Sequence, residues 1–349
     1  MISNSAFFDQ VSFLIKAKHS FAAFRTPDSN LLECYIGSDK IPKKETNPTG
    51  DGFLIKPFNP AGDGYLISSN NIVSTHYLKN SASKNLSFFE EKIPLDFKKY
   101  KKQYIDDVIS IVNQISFSDL TKVVYSKCFE LDLKSKNTVG YFKNILNLYP
   151  GAFCYLFYHP EEGFWMGASP ETLVEIQNNK ISTMALAGTK SLNDSFWGEK
   201  ELFEQKIVED EIKKILNPLC QDLTCQELTT SKAGKVEHLK TLINGFTNKP
   251  PKEIITALHP TPAVAGIPKN KAISIINEKE KHDRSFYSGY LGKIDSKNCN
   301  LFVNLRCLQI KDDKTKLFVG GGITQDSDPE KEWEEIVHKS QTMMDVLFK

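Results

Sequence analysis

The stretch AFCYLFYHPEEGFWMGASPETLVEIQNNKISTMAL, residues 152–186, decides the fold class. Four segments rich in aromatic and β-branched residues follow one another in it, and they are separated by Pro, Gly and Asn turns. The predicted strands are residues 152–158, 163–166, 173–176 and 181–186. Strands joined by such short connections pair antiparallel, because a parallel pair needs a crossover of about a dozen residues or more.

Outside this stretch, the same kind of pattern predicts further strands and several helices. Strands are expected at residues 121–131, 301–310 and 316–319, and helices at 104–115, 200–216, 252–258, 269–280 and 329–347. The long helices lie between groups of strands, which favours an α+β fold with helices packed on antiparallel sheets over a doubly wound parallel sheet. No G-x-G-x-x-G follows a strand and no Walker loop occurs, so a nucleotide cofactor is not expected.

The composition is that of a globular chain with little net charge. Of 349 residues, 40% are hydrophobic and 25% are charged, and 44 basic against 43 acidic side chains leave a net charge of +1. Neither nucleic acid nor a membrane surface is an expected partner of such a chain. Without a leader-like N-terminus or an apolar run near ~18 residues, a cytoplasmic protein is expected. Seven cysteines without C-x-x-C spacing indicate free, mostly buried thiols.

Two of the predicted helices carry acidic residues spaced three apart. In the first helix, Glu201 and Glu204 share one face, and Phe203 is expected on another face with the apolar residues. Like charges at this spacing repel each other unless a cation is nearby.

The second acidic helix is predicted to begin after Asp328, a good N-cap. It carries Glu332, Glu335 and Lys339 on one side. Two acidic pairs brought together would suit Mg²⁺, a hard ion that prefers oxygen ligands and leaves part of its shell to water and substrate. The alternative is that each helix turns an acidic face to solvent.

Two features near the second helix suit an anionic ligand. Consecutive glycines in Gly320-Gly321-Gly322-Ile323 would allow successive N–H groups to converge on a carboxylate, although most glycine runs only form turns. Arg306 lies in the apolar segment 301–310 and needs an anionic partner, either a ligand carboxylate or a structural Asp or Glu.

Four further side chains are candidates for proton transfer. Lys122 stands beside β-branched residues, where partial desolvation would favour a general base, although a lysine often only marks the end of a strand. Glu171 follows a proline at a turn and is either a positioned acid or exposed. For His238 and His259, which lie among apolar or proline residues, a structural role competes with a catalytic one.

In chain order, these segments resemble the chorismate-utilising enzymes, the family of isochorismate, salicylate, anthranilate and aminodeoxychorismate synthases. The resemblance covers about residues 118–349 and depends on the whole ordered set of blocks. The blocks are Lys122-Val-Val-Tyr-Ser-Lys127, Gly167-Ala-Ser-Pro-Glu171, Leu186-Ala-Gly-Thr189, Lys200-Glu-Leu-Phe-Glu204, Leu258-His-Pro-Thr-Pro-Ala-Val-Ala-Gly-Ile-Pro268, Tyr287-Ser-Gly289, Arg306-Cys307, Gly320-Gly-Gly-Ile323, Ser327-Asp-Pro-Glu-Lys-Glu-Trp-Glu-Glu335 and Lys339.

The resemblance implies one chorismate-binding domain over residues 1–349, in which two large antiparallel sheets pack together with helices outside. Residues 1–117 would add strands to this body, and residues 118–349 would carry the motifs. It also implies a chorismate site with Mg²⁺ as cofactor. The implied metal ligands are Glu204 and Glu335, supported by Glu201 and Glu332. The implied substrate-binding residues are Thr189, Tyr287, Arg306, Gly321, Gly322 and Lys339. Lys122 would be the general base and Glu171 the general acid, with His238 a further possible catalytic residue.

Within the family, Lys122 indicates that water is the nucleophile, because synthases that use ammonia usually carry glutamine there. Ala187 stands where some synthases have a nucleophilic lysine. The resemblance therefore implies isochorismate synthase activity for menaquinone or siderophore synthesis, without an obligatory glutaminase subunit. A salicylate synthase, which adds pyruvate elimination, and a non-catalytic carboxylate-binding protein are the alternatives. The sequence departs from the family pattern at two places. Gln205 stands where the family often has histidine, and segment 190–198 is shortened. Both departures concern the shape of the site and its lid.

Overall fold

The computed structural model describes residues 1–77, 89, 96–135, 137–192 and 194–348, in which there are 18 strands and seven helices. The strands are β1 Phe21–Arg25, β2 Leu31–Ile36, β3 Gly52–Lys56, β4 Tyr65–Ser68, β5 Ile72–His76, β6 Lys122–Leu131, β7 Phe153–His159, β8 Gly163–Ser169, β9 Thr172–Gln177, β10 Lys180–Ser191, β11 Gln221–Cys225, β12 Thr229–Ala233, β13 Val236–Phe246, β14 Gly266–Ile267, β15 Tyr290–Ile294, β16 Cys299–Val303, β17 Cys307–Lys311 and β18 Lys314–Ile323. The helices are α1 Asn4–Lys16, α2 Lys98–Ser116, α3 Thr138–Leu148, α4 Glu199–Leu216, α5 Pro251–Leu258, α6 Lys269–Lys279 and α7 Pro329–Leu347.

The strands form two antiparallel sheets of nine strands each, which confirms the predicted α+β class. The first sheet has the order β14-β6-β18-β17-β8-β7-β1-β2-β5. The second has the order β11-β13-β10-β9-β16-β15-β3-β4, with β12 beside β13. Strands from the first 77 residues lie at one end of each sheet, so the motif-poor part of the chain extends both sheets.

Aromatic side chains fill the space between the two sheets. Phe24 and Phe153 of the first sheet belong to the same cluster as Phe53 and Phe302 of the second. The rings of Phe153 and Phe302 stack with their centroids 4.2 Å apart, and those of Phe24 and Phe53 are 4.9 Å apart. Each buried aromatic side chain contributes about 1.5–3 kcal/mol through the hydrophobic effect. This core holds the sheets face to face.

Helices cover the outer faces of both sheets. Helices α1, α2, α3, α6 and α7 share a hydrophobic cluster with the first sheet, and α4 and α5 share one with the second. Because the first sheet is covered on both sides, every residue of β7 is buried and the strand shows no polar alternation. None of the helices in the described ranges is long and apolar enough to cross a membrane.

The prediction of a single strand at residues 301–310 is wrong, because this segment passes from one sheet to the other. Strand β16 ends at Val303 in the second sheet, and β17 begins at Cys307 in the first. Between them, Arg306 adopts a left-handed backbone conformation with φ of 50°. Both strands are buried on both faces, so the pattern of apolar residues could not show the change of sheet.

Most of the other predicted elements are confirmed with small shifts at their ends. The helix expected at 329–347 matches α7, while the helix expected at 104–115 begins earlier, at Lys98. The longest missed strand is β13, Val236–Phe246. All seven cysteines are free thiols, four of them buried.

Candidate active site

A pocket opens between the two sheets beside α4 and α7. Ten of the residues predicted for catalysis or binding line this pocket. They are Lys122, Glu171, Thr189, Glu204, His238, Tyr287, Arg306, Gly321, Gly322 and Lys339. Three predicted metal ligands, Glu201, Glu332 and Glu335, are not part of this lining. The structure therefore brings together most of the predicted residues, which come from segments far apart in the chain.

Glu171 and Arg306 enter the pocket where the chain passes between sheets. Glu171 lies between β8 of the first sheet and β9 of the second, and Arg306 lies between β16 and β17. The two connections are hydrogen-bonded to each other. The Val303 N–H donates to the Glu171 carbonyl over 3.0 Å, and the Ser169 hydroxyl donates to the Val303 carbonyl over 2.5 Å. The backbones that carry the acid and the arginine are thus held together.

Lys122, at the start of β6, forms an ion pair with Glu204 of α4. The distance from Lys122 Nζ to Glu204 Oε1 is 2.8 Å, and the lysine side chain is 1% exposed. Burial raises the pKa of Glu204, but the nearby ammonium groups of Lys122 and Lys200 outweigh this and leave it below its ordinary value. Glu204 is therefore a carboxylate that can bind a cation.

Glu171 is buried, with 2% of its surface exposed, so the alternative of an exposed residue is wrong. Burial raises the pKa of Glu171 to about 8, and the charges of Lys122 and Lys339 limit the rise. The carboxyl group is consequently protonated at neutral pH. A protonated acid in a substrate pocket can donate a proton to a leaving group.

Arg306 is buried and has only uncharged partners among the described residues. Its guanidinium donates to His238 Nε2 over 2.9 Å, to the Thr342 hydroxyl over 3.2 Å and to the Lys339 carbonyl over 3.3 Å. Burial lowers the pKa of Arg306 to about 10, which leaves it charged at neutral pH. Of the two partners considered for Arg306, the structural carboxylate is thus absent from the described residues, and a ligand carboxylate fits.

His238, on β13, accepts a hydrogen bond from the guanidinium of Arg306. Its Nδ1 donates to the Gly188 carbonyl over 3.1 Å, so Nε2 is free to accept from Arg306. Burial, together with the charges of Arg306 and Lys339, lowers the pKa of His238 well below its ordinary value. The neutral imidazole links the β10 backbone to Arg306.

His259 lies away from the pocket and has a structural role. Its Nε2 contacts the carbonyls of Pro57 and Phe58 at 3.0 and 3.1 Å. Burial lowers the pKa of His259 to about 3, so the ring stays neutral in the physiological range.

The glycine run is part of strand β18, and the predicted turn-like anion nest is wrong. Gly321 and Gly322 pair with Tyr125 and Val124 of β6. The neighbour on the other side, β17, pairs only as far as Phe318. Beyond that point one edge of β18 is open within the described residues, and there the Gly320 carbonyl accepts from Lys339 Nζ over 3.1 Å. Because backbone groups alternate along a strand, those of Gly322 face the same open edge.

The glycines also make room for charged side chains. A Cβ atom at Gly322 would lie 2.3 Å from Glu204 Oε1, and one at Gly321 would lie 3.4 Å from both Glu332 Oε2 and Glu335 Oε1. A Cβ at Gly322 would therefore clash with Glu204, whereas one at Gly321 would only reach van der Waals contact with Glu332 and Glu335. Three of the predicted metal ligands thus approach two neighbouring glycines of β18.

On α7, Glu332 and Glu335 are each paired with a lysine. Lys200 Nζ lies 2.5 Å from Glu332 Oε1, and Lys339 Nζ lies 2.5 Å from Glu335 Oε1. Glu332 Oε2 is buried without a hydrogen-bond partner in the described residues. Burial and the charge of Glu335 raise the pKa of Glu332 to about 7, although Lys200 opposes this. The carboxylates of Glu332 and Glu335 repel each other, and a further cation at Glu332 Oε2 would reduce this repulsion.

The donor set fits Mg²⁺ as the predicted cofactor. Within the described ranges, no three His, Cys, Asp or Glu side chains are arranged to hold a metal by themselves. The unpartnered oxygen of Glu332 and the nearby carboxylates of Glu335 and Glu204 are nonetheless hard ligands of the kind that Mg²⁺ binds alongside water and substrate oxygens. Glu201 lies one helical turn before Glu204, and its Oε2 is close to Gly198, outside the pocket lining.

The remaining predicted residues present hydroxyl and ammonium groups. Thr189 Oγ1 lies 3.2 Å from His238 Nδ1. The buried Tyr287 ring stacks on Phe318 with the centroids 5.4 Å apart, and its hydroxyl would lie 2.8 Å from a Cβ at Gly320. With Lys339, these groups surround a space suited to a ligand that carries carboxylates.

Sequence reasoning missed several residues of the site. Lys200 had no assigned role, although it stands in the block Lys200-Glu-Leu-Phe-Glu204 four positions before a predicted ligand. The apolar side chains of Leu305 and Phe318 line the pocket without any signal that separates them from core residues. Phe203 was expected in the apolar face of α4 and is instead 49% exposed, because Glu204, Gln205 and Val208 face inward.

The chain is similar in sequence to one known protein family and to individual members of it. The sequence profile of a family described as chorismate binding enzyme matches residues 66–348. A vibriobactin-specific isochorismate synthase of Vibrio cholerae serotype O1 is 28% identical over 260 residues, which cover 70% of this chain and 66% of that protein. Isochorismate synthase MenF of Haemophilus influenzae is 28% identical over 278 residues, 75% of this chain and 65% of that protein. The matched region thus spans slightly less than two thirds of each relative.

The fold is shared with a solved isochorismate synthase. MenF of Escherichia coli, described as menaquinone-specific, superposes with a TM-score of 0.78 at 20% identity. The superposition covers 94% of this chain and 89% of that chain. At this identity the likeness concerns the fold alone, and the chemistry of the pocket depends on its own residues.

Proposed function

The chain belongs to the family of chorismate-binding enzymes, and from this membership and the pocket we propose that it is an isochorismate synthase. The reaction would convert chorismate to isochorismate, an isomerisation in which a hydroxyl group is added at C2 and the 4-hydroxyl is lost. The names of the relatives support this activity and connect it with menaquinone or siderophore synthesis.

The observation that carries the proposal is a buried amine and a buried protonated acid in one pocket. Lys122 and Glu171 both line the cavity and are almost fully shielded from water. A protein that only bound carboxylates would gain nothing from keeping an acid uncharged, since burial of such a group is costly. An enzyme that both takes and gives a proton needs two groups of this kind.

The proton transfers balance without any further reactant. Lys122, after its ammonium group has released a proton to solvent, takes a proton from the water whose oxygen bonds to C2 of chorismate, and the ring double bonds shift. The C4–O bond breaks, and Glu171 gives its proton to the departing hydroxyl, which leaves as water. Lys122 is paired as an ammonium with Glu204 in the structure, so it has to lose that proton before it can act as the base. Proton exchange with solvent then restores both groups.

Positive and hydroxyl groups around the pocket would hold the two carboxylates of chorismate. Arg306 has no carboxylate partner of its own in the described residues, and Lys339 and Tyr287 also line the pocket. Thr189 and the outward-facing N–H of Gly322 add neutral donors. Fixing the substrate at both carboxylates aligns C2 and C4 with the base and the acid.

Mg²⁺ would be held by Glu204, Glu335 and Glu332, with Glu201 behind them. When bound, the ion would supply positive charge that neutralises a substrate carboxylate. The chain's own contribution is to keep these acidic residues together, since Gly321 and Gly322 leave the necessary space. When no ion is bound, Lys122, Lys200 and Lys339 neutralise these carboxylates.

Product analysis tests the proposal directly. Purified protein is incubated with chorismate and Mg²⁺, and the products are separated by liquid chromatography. We expect a mixture of chorismate and isochorismate at equilibrium, with no requirement for ammonia. Stoichiometric pyruvate, measured with coupled lactate dehydrogenase, would instead indicate a salicylate synthase, and no conversion at all would indicate a binding protein.

A matched pair of lysine variants identifies the base. Lys122→Met keeps the side-chain length and removes the amine, so we expect kcat to fall by about 100-fold or more. Lys127→Met changes a half-buried lysine of the same strand outside the pocket and should leave turnover unchanged. Near-normal turnover of the Lys122 variant would exclude this lysine as the base.

A further inference from the structure

Lys200 connects the first turn of α4 to α7. Its Nζ donates to Glu332 Oε1 over 2.5 Å, with the side chains of Lys200 and Glu332 exposed by 23% and 1%. Lys200 does not line the pocket, whereas Lys122 and Lys339 do. The charge of Lys200 is therefore directed at the acidic residues and not at the substrate space.

Three lysines each neutralise one of the inward-facing carboxylates. Lys122 pairs with Glu204, Lys339 with Glu335 and Lys200 with Glu332. The first two lysines already have a part in the proposed reaction. Lys200 has no part in the proposed reaction, and its only role in this set is its contact with the Glu332 carboxylate.

Glu332 is a carboxylate with one oxygen occupied and one vacant. Lys200 occupies Oε1, and Oε2 is buried without a partner in the described part of the chain. The vacant oxygen lies close to Glu335, because both would be 3.4 Å from a Cβ at Gly321. A divalent cation that binds Oε2 therefore shares Glu332 with an ammonium group.

We propose that Lys200 is a positioning residue that competes with the divalent cation for Glu332 and so lowers the affinity of the acidic site for Mg²⁺. This inference depends on the magnesium site of the proposed function. Lys200 forms an ion pair with the buried Glu332 carboxylate, so its ammonium group is the charge that a cation meets at this residue. A weakened site would bind the ion mainly when the substrate supplies further oxygen ligands.

The size of the effect follows from the charge that is removed. Without Lys200, Glu332 presents a full negative charge to the ion in a poorly solvated place, where charges a few ångströms apart interact strongly. Partial exposure of the lysine reduces this gain. We expect removal of the ammonium group to tighten Mg²⁺ binding by about tenfold.

Titration calorimetry with MgCl₂ on the full chain, in the absence of chorismate, measures this affinity. Lys200→Met should bind Mg²⁺ about tenfold more tightly than the unmodified protein, and Lys200→Arg, which keeps the charge, should bind with unchanged affinity. Lys206→Met is the matched control, since it removes an exposed lysine of α4 that pairs with Asp210 on the surface. Its Mg²⁺ affinity should stay the same.

Thermal unfolding provides a second measurement. In EDTA, Lys200→Met should have a lower Tm than the unmodified protein, because Glu332 is left buried and unpaired. Added Mg²⁺ should restore most of the difference. The Lys206 control should show neither effect.

Two outcomes would overturn the inference, and they can be told apart. Unchanged or weaker Mg²⁺ binding by Lys200→Met would show that the lysine supports the metal site or does not affect it, while the function stands. Absence of Mg²⁺ binding by the unmodified protein, together with chorismate turnover in EDTA, would remove the metal site itself.

Discussion

Helices α4 and α7 carry the same acidic spacing but are built into the protein in different ways. Helix α7 packs against β18, α2 and α3, and the Asp328 side chain caps it by accepting the N–H groups of Glu330 and Lys331. Helix α4 packs mainly on β10 and begins at Gly198 without a side-chain cap. Its first two turns expose Leu202 and Phe203. The carboxylates on α7 thus belong to a capped and packed helix, whereas Glu201 and Glu204 lie in the first two turns of α4, which have no side-chain cap.

The difference shows how a site can be rigid on one side and adjustable on the other. Along α7, both acidic and apolar residues are buried, so the helix is oriented by packing. In the first two turns of α4, Glu204 contacts Lys122 and Lys200 contacts Glu332, so charged contacts help to set the orientation. Substitutions in the two helices should therefore have different consequences for stability and similar ones for chemistry.

The largest expected effect is the loss of activity when either inner carboxylate is removed. Glu204→Gln on α4 and Glu335→Gln on α7 should each reduce turnover by about 1000-fold or to background, because each replaces a charged oxygen ligand by a neutral amide. Chorismate turnover at saturating Mg²⁺ measures this, with circular dichroism to show that the fold is kept. EDTA should have the same effect on the unmodified enzyme.

Exposed acidic residues on the same helices serve as controls for this prediction. Asp210→Asn on α4 and Glu334→Gln on α7 change residues that face solvent and should leave turnover unchanged. Full activity of the Glu204 or Glu335 variant in excess chelator would contradict the metal assignment.

Stability should separate the two helices most clearly at their aromatic residues. Trp333 of α7 is buried and packs against Tyr104 with the ring centroids 5.5 Å apart, so Trp333→Ala should lower the free energy of unfolding by about 3–5 kcal/mol. Phe203→Ala on α4 removes a half-exposed ring and should cost less than about 1 kcal/mol. Urea unfolding measures both. Equal losses would mean that the first turn of α4 is as firmly packed as α7.

Neither helix supplies the proton donor, so the fall of turnover at high pH should be set by Glu171. With the pKa of Glu171 raised to about 8, turnover should fall as the pH rises through about 8 and the acid loses its proton. The protonated form stabilises the fold, because an unfolded Glu has a pKa of about 4.3. This contribution is complete below about pH 4.3 and is lost as the pH rises through about 8.

The variant Glu171→Gln should remove the part of this pH dependence of stability that comes from Glu171 and reduce kcat by about 100-fold. Glu332, whose pKa is raised to about 7, should account for the part that remains. Glu175→Gln, at an exposed position of the following strand, is the control. Unfolding by urea at pH 6 and pH 9 makes the comparison. A stability difference between these two pH values that is unchanged in Glu171→Gln would assign it to Glu332 or another group.

The smallest expected effect concerns the helix starts. Asp328→Ala removes a side chain that bonds Glu330 N at 2.9 Å and Lys331 N at 3.1 Å, and should cost about 1 kcal/mol. Gly198→Ala removes no side-chain hydrogen bond and should cost less than Asp328→Ala, although Ala is a poorer N-cap than Gly. A larger loss at Gly198 than at Asp328 would reverse the comparison between the helices.

Helix α7 could be predicted from sequence because local signals agree along its whole length. The cap Asp328, the proline at position 329 and the periodic apolar residues all indicate the same start and the same buried face. The site residues could be collected only because many separate blocks resembled one family. Lys122 or Glu171 alone carried no decisive signal.

The parts of the fold and the site that could not be predicted depend on tertiary structure, which no local sequence pattern describes. Phe203 was assigned to a buried face because apolar residues usually occupy it, but the pocket requires Glu204 to face inward. The glycine run looked like a turn because its pairing with β6 is long-range. Arg306 looked like a strand residue because both flanking segments are apolar, and only the assembled sheets show that the chain changes sheet there.

The contact between the two sheet crossings has a consequence for how the protein folds. The Ser169 hydroxyl and the Val303 carbonyl are 134 positions apart in the chain, and their hydrogen bond forms only when both sheets are in place. Contacts this distant in sequence form slowly because the intervening chain must be ordered first. Neither sheet alone can bring Glu171 and Arg306 to the same pocket. Recovery of catalysis during refolding should therefore require that the two sheets have docked, and a chain with native secondary structure but undocked sheets would be silent in the assay.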